Sequence, residues 1–148
     1  MTGALEGFGV YTNEIMKRMT AAHSDDAFEF FFDRPYKDEF VYGPNVTPYV
    51  LYPPARHAML FRIWYQRLKR FVPRLGSNVF FSPDSFMPLG MHVPSVITIH
   101  DVAYQRFPDL ISKSNLRYYM RFMPHFVEEA RHIITVSEFS KSEIVQFY

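Results

Sequence analysis

The segment Ser95 to Asp101 (SVITIHD) constrains the fold more than any other: an uncharged, β-branched run stops abruptly on a histidine and an aspartate. Five residues rich in Val, Ile and Thr suit a strand covered on both faces, as in a parallel sheet with helices on either side. The polar pair then falls at its carboxyl end. Ligands of open α/β sheets lie in the crevice outside those ends, so His100 and Asp101 are the first candidate functional residues. A near copy at 132–137 (HIITVS) again closes a short β-branched run on a polar residue, Ser137. Two strand ends therefore point to one crevice.

The rest of the chain alternates between helical and strand periodicity. Val10 to Met19 predicts a helix, with Tyr11, Ile15, Met16 and Met19 at three- and four-residue spacing. Residues 27–32 (AFEFFF) predict a strand, and a loop at 33–39 leads to extended pieces at 40–42 and 46–52, punctuated by Gly43-Pro44 and Pro53-Pro54. Ala55 to Val72 reads as a helix whose apolar stripe is Met59, Leu60, Ile63, Trp64, Leu68 and Phe71, packed on a sheet. Strands follow at 78–82 and 95–99. A helix over 115–131, which Pro124 should kink or interrupt, precedes a strand at 132–136. Ser140 and Glu143 are spaced as a capping box opening a last helix.

This alternation predicts an α/β fold with a doubly wound, mostly parallel Rossmann-like sheet. The length of 148 residues suits one domain with a real core. A glycine loop at 3–9 should follow a strand, but only five residues reach Leu5, and the last residues fall inside a helix. The expectation is a fragment that lacks its first strand.

Composition narrows the chemistry. At 48% hydrophobic and 21% charged the chain is globular. It has no cysteine, which removes disulfides, thiolate metal sites and Cys nucleophiles, and fits a reducing cytoplasm. A net charge of +1 points to no nucleic-acid partner, and no apolar run reaches the roughly 18 residues of a membrane span. His23, His57, His92, His125 and His132 show no metal-ligand spacing. From Phe40 to Pro83 there is no acid, while Arg56, Arg62, Arg67, Lys69, Arg70 and Arg74 all lie there. That segment reads first as a solvated basic face, with peripheral contact to anionic lipid at the inner membrane face as the rival.

Five motifs come in order: GFGVYT at 7–12, FRIWYQ at 61–66, VFFSP at 79–83, His100-Asp101 with Pro108 seven residues on, and IITVSEFSK at 133–141. Together they resemble the N-terminal half of a family 4 glycosyltransferase of the GT-B fold, over most of the chain and most densely from Asn78 to Ile144. The resemblance implies a retaining enzyme moving a sugar from a nucleotide-sugar donor to a glycan or lipid-linked acceptor, without metal or other cofactor. It implies that this is the acceptor-side domain, 1–148, and that a C-terminal donor-binding domain is missing. The family's donor-binding glutamates are separated by seven residues; Glu6 and Glu14 have that spacing only by accident, in the wrong half.

The same resemblance places His100 near the transferred sugar, where an imidazole can hydrogen-bond a hydroxyl or help carry a proton. Asp101 orients His100, caps the following turn or touches acceptor. Adjacent residues of a strand face opposite ways, so it shares the direction of His100 only if the strand has already ended. Gly7 and Gly9, with Tyr11 beyond them, read as a donor-phosphate or acceptor-binding loop, against the alternative of an ordinary turn. Ser137 ends its strand on the crevice side or forms a local turn. Two other functions compete: a non-catalytic Rossmann-like binding module, and a nicotinamide-dependent oxidoreductase domain. The second lacks its fingerprint, because Gly7 and Gly9 are followed by Thr12 instead of a third glycine.

Overall fold

The computed structural model describes residues 7–55 and 58–148. The chain divides into two compact units, one up to Leu68 and one from Lys69 onward. Each carries its own small parallel sheet, and the fold is α/β.

In the first unit, helix α1 (Gly7–Ala22) precedes strands β1 (Phe28–Phe32) and β2 (Val46–Val50). The strands pair parallel from Phe28 opposite Val46 to Phe32 opposite Val50. Their cross-strand pair Phe31 and Tyr49 stacks at 5.7 Å, the packing that aromatic strands favour. Pro48 is tolerated in β2 because a two-stranded sheet consists only of edges. Asn45 fastens the end of α1 to the sheet, its amide donating to the carbonyls of Thr20, His23 and Asp26. At the carboxyl end of β1, Asp33 takes two 2.7 Å hydrogen bonds from Arg34 and one from the Ala55 N–H. Arg34 holds that carboxyl below the usual aspartate range.

Two expectations fail here. Residues 7–9 already belong to helix α1, ahead of Val10, so Gly7 and Gly9 lie in a helix and not in an open loop; Gly3 to Glu6 lie outside the described residues. The piece at 40–42 joins no strand ladder: Phe40 ends a 3-10 turn over 38–40, closed by Val41 N–H on Asp38 O, and Val41 is extended but belongs to no strand. Tyr42 instead donates to Asn13 Oδ1 at 2.8 Å and packs edge-on against Phe30, so side chains dock the segment without a ladder.

Helix α2 (Ala58–Phe71) follows. Leu68 is fully buried and Trp64 half-buried, but Met59 is 70% and Ile63 41% exposed, so the expected stripe is not wholly packed. Arg56 and His57 lie outside the described residues.

The second unit is built on strands β3 (Phe80–Ser82), β4 (Ser95–Thr98) and β5 (His132–Ile134), all parallel with β4 central. Between β4 and β5 come a short helix α3 (Ala103–Arg106) and a long one, α4 (Lys113–Glu129); α5 (Glu138–Phe147) follows β5. Ile97 and Ile99 of the central segment are fully buried and cluster with Met87, Val102, Tyr104, Met123, Phe126 and Ile144. Ser112 caps α4 by accepting the Asn115 N–H. Pro124 does not interrupt this helix. Met123 and Phe126 are buried on either side of it, and that burial outweighs the ~3 kcal/mol that an interior proline costs.

The capping box at α5 is also overturned. The cap is Ser137, whose Oγ accepts the Ser140 N–H at 3.0 Å, while the Glu143 carboxylate is taken by Arg106. The hydroxyl of Ser137 therefore serves a local turn.

The burial pattern predicts where the chain is vulnerable. Ile97→Ala should destabilise the fold by about 2–5 kcal/mol, the range for deleting a fully buried aliphatic side chain. Met120→Ala, half exposed on α4, should cost within about 0.5 kcal/mol. Urea unfolding followed by circular dichroism measures both.

Candidate functional site at the carboxyl edge

Three segments leave the carboxyl edge of the second sheet: 83–85 after β3, 99–102 after β4 and 135–137 after β5. The ladder runs one residue past β4, since Ile99 N–H donates to Ile134 O at 2.9 Å. His100 is thus the first residue beyond sheet pairing, half-buried at the middle of the edge. Its Nε2 lies 2.9 Å from the carbonyl of Pro83. A carbonyl only accepts, so Nε2 carries the proton, and in the neutral ring Nδ1 holds the lone pair.

The turn after β3 is fixed around that contact. Ser82 Oγ donates to Asp84 O at 2.9 Å, and Ser85 N–H donates to Asp84 Oδ1 at 2.7 Å. Burial pushes the Asp84 carboxyl above its ordinary range, while the Ser85 N–H and nearby His100 pull it back. Asp101 is exposed, and its Oδ1 accepts the Ala103 N–H at 2.9 Å, starting α3. Of the roles expected for Asp101, the turn-capping one is the hydrogen bond present.

Aromatic rings floor the edge. Tyr119 of α4 stacks on Tyr104 at 4.9 Å and on Phe86 at 6.0 Å. Burial raises its phenol, and Asp84 and Asp101 raise it further, which places that hydroxyl in the same electrostatic neighbourhood. The Tyr104 hydroxyl shares a 2.6 Å hydrogen bond with Tyr148, and burial pushes it well above the normal phenol range. Arg106, two residues on, grips Glu143 at 2.6 and 2.8 Å and reaches Gln146 at 2.9 Å. The segment that follows His100 is thereby clamped to α5.

The edge brings together His100, Asp101 and Ser137 from the sequence analysis. Gly7, Gly9 and half-buried Tyr11 belong to α1 in the first unit. The sequence did not single out Tyr104 or Tyr119, and marked Asp84 only as the start of a loop, 84–94, in which acceptor determinants are expected. Asp84 was within reach, because it follows the end of β3 as His100 follows the end of β4; Tyr119 was hidden in the apolar stripe of α4. Among the described residues no three His, Asp or Glu side chains converge on a metal site, and no helix is long and apolar enough to cross a membrane.

Residues 5–148 match the profile of glycosyltransferase family 4. The chain is also 23% identical, over 97% of its length, to the O-antigen chain mannosyltransferase B of Escherichia coli, and spans about 40% of that relative. No solved structure gives a comparably significant match. A profile that covers nearly the whole sequence decides the matter: the chain belongs to glycosyltransferase family 4.

Proposed function

We propose that this chain is the N-terminal, acceptor-side domain of a retaining GT-B glycosyltransferase. It moves a hexose from a nucleotide-sugar donor to a glycan or lipid-linked acceptor, with no metal or other cofactor. The observation that carries the reading is His100, held through Nε2 at the carboxyl edge of a central parallel strand in a family 4 chain. The name of the E. coli relative makes mannose the first donor sugar to test.

The reaction is a front-face displacement. The acceptor oxygen forms the new bond to the anomeric carbon on the face from which the nucleoside diphosphate leaves, and the acceptor proton passes to the departing phosphate oxygen. His100 lies beside the reacting sugar, where a ring already fixed by the Pro83 carbonyl needs no reorientation as charge develops. A nucleotide-sugar donor places the reaction in the cytoplasm. Exposed Met59 and Ile63 beside exposed Arg62 and Arg67 on α2 favour peripheral contact with an anionic membrane surface.

In the full-length enzyme His100→Ala should lower turnover by about 10² to 10⁴, the usual range for an acid–base group, with the circular dichroism spectrum unchanged. Unchanged turnover with the natural acceptor returns His100 to a purely structural role.

The 148-residue chain alone should bind nucleotide sugars with a dissociation constant of about 1 mM or weaker, worth only ~4 kcal/mol. Calorimetric titration checks this. Base-selective binding at micromolar level would mean that this domain holds the donor, and the two halves would exchange roles.

A further inference from the structure

Asp84 is an acid that the fold leaves short of partners. The contrast is with two other carboxylates removed from solvent: Asp33 is gripped by Arg34 and the Ala55 N–H, and Glu143 by Arg106. Asp84 has no arginine or lysine within ion-pair distance among the described residues. One of its oxygens takes the Ser85 N–H; Oδ2 takes no hydrogen bond from any described residue. Burial pushes this carboxyl up, yet Oδ2 still reaches solvent and is the side of the group open to a ligand.

The position matches that reading. Asp84 stands next to Pro83, whose carbonyl holds His100, and two residues before Phe86, which stacks on Tyr119. On the other side of β4, at the same edge, Thr135 Oγ1 is buried without a hydrogen-bond partner among the described residues. The edge thus offers a solvent-reaching carboxylate oxygen on one flank of the strand that carries His100 and a buried hydroxyl without a partner among the described residues on the other. A sugar ring, with several hydroxyls that each donate and accept, meets that demand where a flat apolar ligand does not.

We propose that Asp84 is a specificity-determining residue of this site, with Oδ2 accepting a hydrogen bond from a hydroxyl of the sugar bound beside His100. The proposal rests on the glycosyltransferase reading above. In the full-length enzyme, assayed with nucleotide-activated mannose, Asp84→Asn should raise KM for one of the two sugar substrates by about 10- to 100-fold, the loss expected for a hydrogen bond to a charged group, and leave kcat within about threefold. The substrate whose KM moves is the one that Asp84 reads. If His100→Ala cuts turnover but Asp84→Asn leaves both KM values unchanged, the proposal for Asp84 is overturned and the site reading stands. If Asp84→Asn raises a KM while His100→Ala is silent, Asp84 stands and the role of His100 falls.

Stability gives a readout that needs no turnover. The folded carboxyl titrates above the ordinary aspartate value of 3.8. The contribution of its protonated form is therefore fully present below that value and lost as pH rises through the folded value. Asparagine keeps the Ser85 contact at every pH, so Tm of Asp84→Asn minus Tm of wild type should widen from acid to neutral pH. His100 and Tyr119 are the titratable groups that face Asp84, and both are unchanged in the variant. An aspartate kept for structure alone would instead give a variant less stable than wild type at neutral pH, which overturns the proposal. Should the wild type show no turnover with the donor used, the Asp84 carboxyl resonance of the 13C-labelled 148-residue chain, titrated with methyl α-mannopyranoside, decides: a shift supports the proposal and its absence overturns it.

Discussion

The burial of the β4 segment on both faces is the constraint from which the second unit follows. Ile97 and Ile99 point one way, Thr98 the other, and none is reached by solvent. A strand in that position admits no charge along its length, because an ionised group there would lose its hydration without recompense. The first titratable side chain can come only where the cover ends, and it is His100. The location of the candidate site is thus set by where burial stops, in the way that parallel sheets generally confine chemistry to their carboxyl ends.

What keeps the edge in shape is side-chain tethering more than regular structure. Helix α3 is a single turn of four residues, too short to be stable by itself. It is held by Asp101 at its start, by the Tyr104–Tyr148 and Gln105–Tyr148 hydrogen bonds, and by the Arg106 grip on Glu143. The two bonds to Tyr148 reach the end of α5 and the Arg106 grip reaches its middle. The segment that leaves His100 is consequently as rigid as α5 is, and Ser137, which caps α5, acts on the site at one remove. A bidentate guanidinium–carboxylate pair suits this task, since its two parallel hydrogen bonds fix orientation as well as distance.

The legible parts of the sequence were those in which one residue type admits one explanation. The β-branched run at 95–99 could hardly be anything but a covered strand, and both its central place and the parallel partner at 132–134 agree with that reading. The less legible parts were decided by competition between neighbours. Ser140 and Glu143 have the spacing of a capping box, but Ser137 stands three residues before Ser140 and Arg106 captures Glu143 from elsewhere in the chain. Gly7 and Gly9 suggested a loop because glycine disfavours helix, yet both lie in the 16-residue α1, where the cost of about 1 kcal/mol for each glycine does not break the helix. Pro124 was outvoted by the burial of Met123 and Phe126. Asp84 and Tyr119 needed the third dimension, because their significance is the company they keep.

Asp33 and Asp84 show why topology alone does not identify a functional acid. Each follows a parallel strand at its carboxyl end, Asp33 directly after β1 and Asp84 two residues after β3. Their environments then diverge. Asp33 has a guanidinium on both oxygens and a backbone donor besides, and its carboxyl is held below the usual range; it contributes to the fold when ionised and asks for nothing more. Asp84 has one backbone donor and a histidine nearby, and burial shifts it the other way. The same residue type at the same kind of strand end is therefore fully held by the protein in one unit and singly hydrogen-bonded in the other. The difference lies in whether the protein itself supplies the donors: it supplies three to Asp33 and one to Asp84.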